Sequence, residues 1–195
     1  MLYSWIENRP AKAMRLRRAL GITLIELLVI LAIISISLLI AVPSYKVMAQ
    51  RNRVAIGVNT FLLALNLARN EANRMGSVVS VVPADGGDDR NEFGPGWCVA
   101  VGTPGDCGGA VIRTFPGVPA GILFNAMQVP PAISFDALGG LSGGGSVQVD
   151  VCVEDPDIGA GVISGRRVHI NLIGRAKSHK PTDPDNNKRP VCPPA

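Results

Sequence analysis

A single carboxylate interrupts the longest apolar segment of this 195-residue chain. Residues 22–42 contain no charged side chain except Glu26. At about 1.5 Å per residue, a helix of this length spans roughly 30 Å, the thickness of a bilayer's hydrocarbon core. A carboxylate in such a segment costs a few kcal/mol and marks a functional residue with a partner. These residues therefore predict a membrane-spanning helix in which Glu26 has a specific partner.

The residues before this segment form a basic leader. Residues 1–21 carry five basic residues and one acid, and such an excess of positive charge stays on the cytoplasmic side of a membrane. A secretory signal has a shorter apolar core of about 7–15 residues, followed by its cleavage site. We therefore expect cleavage before the apolar segment, which stays on the mature protein as an anchor.

Residues 21–26, GITLIE, closely resemble the processing site of type IV pilins and pseudopilins, where the residue after the glycine is usually Phe. The resemblance implies that prepilin peptidase cleaves between Gly21 and Ile22 and methylates the new amino terminus of Ile22. Glu26 would then pair with the terminal amine of a neighbouring subunit, which offsets the cost of burying either charge. Pro43 occupies the position of the family's helix-kinking proline. The alternative is an ordinary single-pass anchor with an isolated glutamate.

The helical pattern continues beyond the membrane segment. Apolar residues recur at spacings of three and four, and Gly76 is a suitable C-cap. The mature chain thus divides into a transmembrane segment at 22–42, an amphipathic half-helix at 43–76 and a periplasmic β-rich domain at 77–195. The predicted buried face of the half-helix consists of Val54, Val58, Phe61, Leu65, Ala68 and Ala72.

Seven short β-branched segments, separated by Gly, Pro and Asp, predict an antiparallel sheet after the helix. In the sixth, valines alternate with other residues, which predicts one core-facing side. A helix followed by a sheet is an α+β layout. Together with ARNEANRMG at 68–76, this order resembles minor pilins and pseudopilins of the FimT/GspH type, whose long N-terminal helix packs on a small antiparallel β-sheet domain. The predicted strands are 77–82, 97–101, 110–115, 122–125, 132–136, 146–153 and 166–173.

Four cysteines lie in the domain that is predicted to be exported across the membrane. The compartment there is oxidising, so disulfides form. Three pairings are possible. Cys98 with Cys107 would close a short loop, and Cys152 with Cys192 would attach the C-terminal tail to the sheet. Zinc is the alternative, but the chain has no pair of C-x-x-C sequences and its histidines are not spaced to complete a site. We expect two disulfides and no metal.

No enzyme is visible in the sequence. H-E-x-x-H is absent, and the two histidines are predicted on a sheet surface (His169) and in the basic tail (His179). The glycine-rich segment 139–145 lacks the Lys-Ser/Thr pair of a phosphate-binding loop and predicts a hairpin between the fifth and sixth strands. The acidic segment 85–92 fails the EF-hand spacing and predicts a solvated loop, with calcium as the alternative. We expect no cofactor and no small-molecule substrate.

The net charge of +4 hides a split between the body and the C-terminal tail. The mature chain is formally neutral, but residues 76–165 carry −8 and residues 166–195 carry +5. Arg175 and Lys177 within GRAK resemble the G-R-x-R element of FimT-type pilins, which implies DNA uptake. Lys177 stands where this element has its second Arg. It keeps the positive charge but cannot form the bidentate contact of a guanidinium. The tail lacks aromatic residues, so we expect contacts to duplex phosphates. The predicted DNA-contacting residues are Arg166, Arg167, Arg175, Lys177, Lys180, Lys188 and Arg189.

These features predict an inner-membrane minor pilin with a periplasmic domain that joins other pilins in a type IV pilus, primes assembly and contacts double-stranded DNA. One alternative is a minor pseudopilin near the tip of a type II secretion system, acting in protein export. Another is a membrane-anchored binding domain that does not assemble. For the basic tail, the alternatives are docking on the acidic body of the same chain and contact with another subunit.

Overall fold

The computed structural model describes residues 21–86, 91–126, 132–153 and 165–179, apart from the side chain of Pro43. The chain divides into two compact units, Met1–Ala41 and Val42–Ala195. One helix, α1, spans Leu24–Met75. The strands are β1 Val79–Pro83, β2 Gly96–Val101, β3 Val111–Pro116, β4 Ile122–Ala126, β5 Ile133–Phe135, β6 Val147–Val153, β7 Arg166–Ile170 and β8 Ala176–His179.

The part of α1 within the first unit is apolar, and its side chains are exposed. Thr23 caps its start, because its Oγ1 accepts a hydrogen bond of 3.3 Å from the backbone N–H of Glu26. Ser35 and Ser37 donate their hydroxyls to carbonyls one turn earlier. By length and composition, α1 is the one helix in the described segments that could cross a membrane. The helix continues through Pro43, where the expected kink stays a prediction.

The part of α1 within the second unit buries the face that the periodicity predicts. All six predicted residues, from Val54 to Ala72, are at most 2% exposed, so this prediction is confirmed. Gly76 then adopts φ +61°, and the N–H of Ser77 donates to the carbonyl of Ala72 over 3.3 Å. This is the Schellman pattern that ends a helix at a glycine.

The strands form two antiparallel four-stranded sheets, not the single sheet of the sequence prediction. Sheet A has the order β3-β2-β1-β5 and sheet B has the order β4-β6-β7-β8. The predicted hairpin between 132–136 and 146–153 is wrong, because β5 pairs with β1 while β6 pairs with β4 and β7. The predicted seventh strand ends at Ile170, and β8 was not predicted. The α+β fold with a long N-terminal helix is confirmed.

Phe61 of α1 lies at the centre of the core. Its ring centroid is 5.3 Å from Trp97 of sheet A and 5.6 Å from Phe124 of sheet B, and both rings meet it edge-on. Such tilted aromatic pairs add about 0.5–1.5 kcal/mol each to the area they bury. Gly57, one turn earlier, lets Phe124 approach the helix, because a Cβ there would lie only 3.2 Å from the Phe124 ring.

Two loops meet beside the C-terminal part of α1. Arg69 donates from Nε to the carbonyl of Gly139 over 3.0 Å, and the N–H of Leu141 donates to the carbonyl of Leu172 over 2.9 Å. Gly174 packs so closely here that a Cβ on it would collide with the Gly139 carbonyl oxygen. The β7–β8 turn is therefore fixed against the helix through a contact that only glycine permits.

We expect Gly174→Ala to destabilise the domain more than Gly76→Ala. Both positions have positive φ, +74° and +61°, but only Gly174 is crowded. The left-handed backbone alone costs a non-glycine residue about 1–2 kcal/mol, and the collision at Gly174 adds about 1–3 kcal/mol. Urea denaturation of a fragment covering 46–195, which contains the whole core, measures both losses. Equal losses would contradict the close packing of the turn.

Candidate functional site

The candidate site is the β7–β8 hairpin, whose turn is fixed by its own hydrogen bonds. The side-chain Oδ1 of Asn171 accepts from the N–H of Arg175, and its carbonyl accepts from the N–H of Gly174, both over 2.8 Å. The positive φ of Gly174 closes the turn. Arg175 therefore stands at a defined position directly before β8.

The register of β7 and β8 separates the core side chains from the cations. Ile170 is paired with Ala176 and Val168 with Ser178, and both β7 residues are buried. Lys177 and His179 occupy the alternate positions of β8 and are exposed, as is Arg175. Alternate residues of a strand are about 7 Å apart on one face. Exposed basic side chains thus follow one another along the edge of sheet B.

Arg167 does not belong to this surface. Its Nε donates to Asp150 Oδ1 over 2.6 Å and its Nη2 donates to Asp150 Oδ2 over 2.7 Å. The two residues are 7% and 0% exposed. The hydrogen bond to Asp150 raises the pKa of Arg167 above its ordinary value, so the guanidinium stays charged. The prediction of Arg167 as a DNA contact is wrong, because its bidentate edge binds a buried carboxylate.

The remaining predicted cations divide into three groups. Arg175 and Lys177 are exposed on the hairpin, and Arg166 is half-buried at the start of β7. Lys180, Lys188 and Arg189 lie outside the described residues, so their part in the surface stays a prediction.

His169 lies beside Lys177 in the register and is half-buried, not fully on the surface. Burial lowers the pKa of His169 below its ordinary value, and the nearby charges of His179 and Arg167 lower it further. Protonation is therefore disfavoured at neutral pH. His169 contributes no positive charge to the surface there.

The predicted disulfide between Cys98 and Cys107 is present and joins β2 to the connection that leads into β3. Cys152, on β6, is buried and disulfide-bonded. Cys192 lies outside the described residues, so its pairing with Cys152 stays a prediction.

The assembly residues stand at the start of α1. Gly21 and Ile22 precede the helix and are exposed, and Glu26 is exposed in its first turn. Cleavage, methylation and pairing of Glu26 with an amine stay predictions.

The described segments contain no group of three His, Cys, Asp or Glu residues that could hold a metal ion. Of the acidic segment 85–92, residues 87–90 lie outside the description, and Glu92 accepts a hydrogen bond from the backbone of Ala126.

A family model described as Type II transport protein GspH matches residues 57–174, more than half of the chain. The chain belongs to this family. The GspH family is one of type IV pilin-like proteins, so the minor pilin or pseudopilin prediction is confirmed. The match ends at Gly174, and the exposed Arg175 and Lys177 follow directly after it.

The fold is also that of solved minor pilins. The type IV minor pilin FimU of Pseudomonas aeruginosa is 20% identical with a TM-score of 0.56, over 69% of this chain and 97% of FimU. A second crystal form of FimU is 20% identical with a TM-score of 0.53, over 66% of this chain and 97% of FimU. The minor pseudopilin EpsH of the Vibrio cholerae type II secretion system is 14% identical with a TM-score of 0.46, over 67% and 99%. No curated protein matches the sequence closely enough to count as a relative.

We expect single and double replacements of the buried ion pair to differ sharply. Asp150→Leu or Arg167→Met alone leaves one charge buried without its partner, which costs about 3–5 kcal/mol. The double variant removes both charges and fills the space with apolar atoms, so its stability should be within about 1–2 kcal/mol of the native value. Urea denaturation of the four proteins gives the coupling. Additive losses would contradict the view that the two charges compensate each other.

Proposed function

We propose that this chain is a minor pilin of a type IV pilus that contacts duplex DNA through the β7–β8 hairpin. The observation that supports the proposal best is the exposure of Arg175 and Lys177 at neighbouring outward positions of one rigid edge. Within the described residues neither cation forms a salt bridge. Lysine and arginine presented in this way neutralise phosphates and release counterions, whatever the base sequence.

Most of the described acids of the body already accept hydrogen bonds, which disfavours their pairing with the basic hairpin. Asp150 binds Arg167, Glu92 accepts from the backbone of Ala126, and Asp136 accepts from two backbone N–H groups of its turn. Asp106 accepts from Gly108. Four of the five acids described in residues 77–153 thus bind groups other than the two exposed cations. This pattern is compatible with an external polyanion as the partner of Arg175 and Lys177.

The anchor supplies the route into a filament. Membership of a pilin-like family implies assembly with other pilin-like subunits. In this proposal the leader 1–21 is removed before Ile22, residues 22–42 stay in the inner membrane, and the domain faces the periplasm. The new, methylated amine of Ile22 then pairs with Glu26 of a neighbour, since a carboxylate in hydrocarbon needs a cationic partner. In this proposal the subunit also primes assembly.

The second candidate function is that of a minor pseudopilin in a type II secretion system. It is favoured by the match to the family described as Type II transport protein GspH. In that case the basic hairpin would contact a sister pseudopilin or an exported protein, and DNA binding would be absent. Neighbouring genes for pilus motor and competence proteins, or for a secretion channel, separate the two candidates.

We expect the fragment 46–195 to bind duplex DNA weakly and with a strong dependence on salt. If two or three cations contact phosphates, the logarithm of the binding constant should fall with log salt at a slope of about −2 to −3. Arg175→Ala together with Lys177→Ala should weaken binding by at least about tenfold at low salt and reduce the slope by about 2. Fluorescence anisotropy with duplexes of two unrelated sequences measures both.

The matched control is Arg53→Ala, which removes an exposed cation from α1 and should leave binding unchanged. Absent binding at low salt, or equal effects of the control and the hairpin variant, would contradict DNA contact by this hairpin. Failure of this proposal would leave membership of a filament untouched.

We expect Glu26→Ala to prevent incorporation into filaments while the chain still inserts into the membrane. Removal of the carboxylate makes the segment more apolar, so insertion becomes easier, but the terminal amine of the neighbour loses its partner. Fractionation of membranes and sheared filaments, with detection of the full chain, gives the two quantities. Glu26→Asp, which keeps the charge, is the control and should retain part of the incorporation. Normal incorporation of the alanine variant would favour an anchored domain that does not assemble.

A further inference from the structure

The two sheets have four edges, and the chain covers two of them within its described residues. The outer edge of β4 is closed by side chains: Asn91 accepts from the N–H of Phe124 and Glu92 from the N–H of Ala126, both over 2.8 Å. These two bonds occupy backbone donors that an added strand would need. An edge closed in this way resists pairing with another chain.

The outer edge of β5 is closed by backbone. The N–H of Ser142 donates to the carbonyl of Ser134 over 2.8 Å, and Leu141 forms a bridge with Phe135. The N–H of Asp136 also donates to the carbonyl of Gly140 over 2.9 Å. The glycine-rich connection, which the sequence predicts to be a hairpin, thus covers this edge. The fourth edge, β8, continues into residues outside the description.

The edge of β3 is different. Its first four residues, Val111 to Thr114, are all exposed, and Val111 and Ile112 are 38% and 37% exposed. Within the described residues β3 pairs only with β2. β-Branched residues on an unpaired edge are a template for pairing with another chain. Pro116 ends the strand and limits such pairing to the residues before it.

This edge is held in shape by two constraints. The disulfide between Cys98 and Cys107 ties the β2–β3 connection to β2, and the N–H of Val101 donates to the carbonyl of Ala110 over 3.0 Å. Arg113 lies over the ring of Phe115, with its guanidinium carbon 5.2 Å from the ring centroid. The cation is thereby kept along the strand. The edge is ordered before a partner arrives.

We propose that the outer edge of β3, with which no described strand pairs, adds an extended acidic segment from a different subunit of the same filament. Arg113 is the only basic residue between residues 91 and 165, so a carboxylate placed opposite it supplies the register. A second copy of this chain fits less well. Residues 111–116 contain no acid, and antiparallel self-pairing about the middle of the strand brings the two Arg113 side chains together.

This inference rests on membership of the pilin-like family and not on DNA contact. It assigns β3 to subunit contact by strand addition, in which backbone hydrogen bonds give affinity and side chains give specificity. Sheet A would then hold the neighbour while the hairpin of sheet B stays free.

The test places a photo-crosslinking amino acid at position 112 of the full-length chain in its native host. A matched control places it at Leu123, on the closed edge of β4. We expect position 112, but not 123, to give a covalent product with another pilin-like subunit, mapped by mass spectrometry to an acidic extended segment. Arg113→Glu should reduce the yield at least tenfold, whereas Arg113→Lys should retain it. Formation of the Cys98–Cys107 disulfide reports that each variant folds.

Equal yields from positions 112 and 123 would overturn the proposal, as would a product at 112 that is insensitive to Arg113→Glu. A product with a second copy of this chain, with lipid or with nucleic acid alone would overturn it as well.

Discussion

The packing of Phe61 between the two sheets is the contact on which the rest of the domain depends. The ring reaches Trp97 and Phe124, so one side chain of α1 touches both sheets at once. An isolated half-helix is marginal in water and gains its stability from burying such a face. The two sheets share no strand pairing, and they meet in the core, where the ring centroids of Trp97 and Phe124 are 5.7 Å apart. Phe61 completes this group of three rings and thereby joins α1 to both sheets.

The same helix also fixes the candidate site. Arg69 binds the carbonyl of Gly139, and Gly174 packs against the same carbonyl oxygen. Arg175 follows Gly174 directly. The first cation of the hairpin is therefore connected to α1 through the contacts of Gly174 with Gly139 and of Gly139 with Arg69. A basic side chain on a fixed turn loses little backbone conformational entropy on binding. The β7–β8 turn thus presents Arg175 at a defined position.

Local patterns in the sequence predict what local interactions determine. The buried face of α1, its cap at Gly76 and the alternating valines of β6 all follow from periodicity, and all are found. The division into two sheets depends on pairing between distant strands, which no local pattern encodes. β8 is missed because AKSH is polar and precedes a proline-rich stretch, while its partner β7 supplies the hydrogen bonds. Tertiary pairing overrides weak strand propensity there.

Arg167 shows why charge counting alone misplaces a site. Its neighbour Arg166 carries the same charge in the sequence, but only Arg167 falls opposite Asp150 in the β6–β7 register. Asp150 is the sole acid within β6, so both charges leave the surface together and the net charge of the domain is unchanged. Arg166 and Lys177 have register partners without a carboxylate, Val151 and His169. Lys177 faces His169, which stays neutral because burial lowers its pKa. A surface of few but uncompensated charges is what a weak, salt-dependent contact with a polyanion requires.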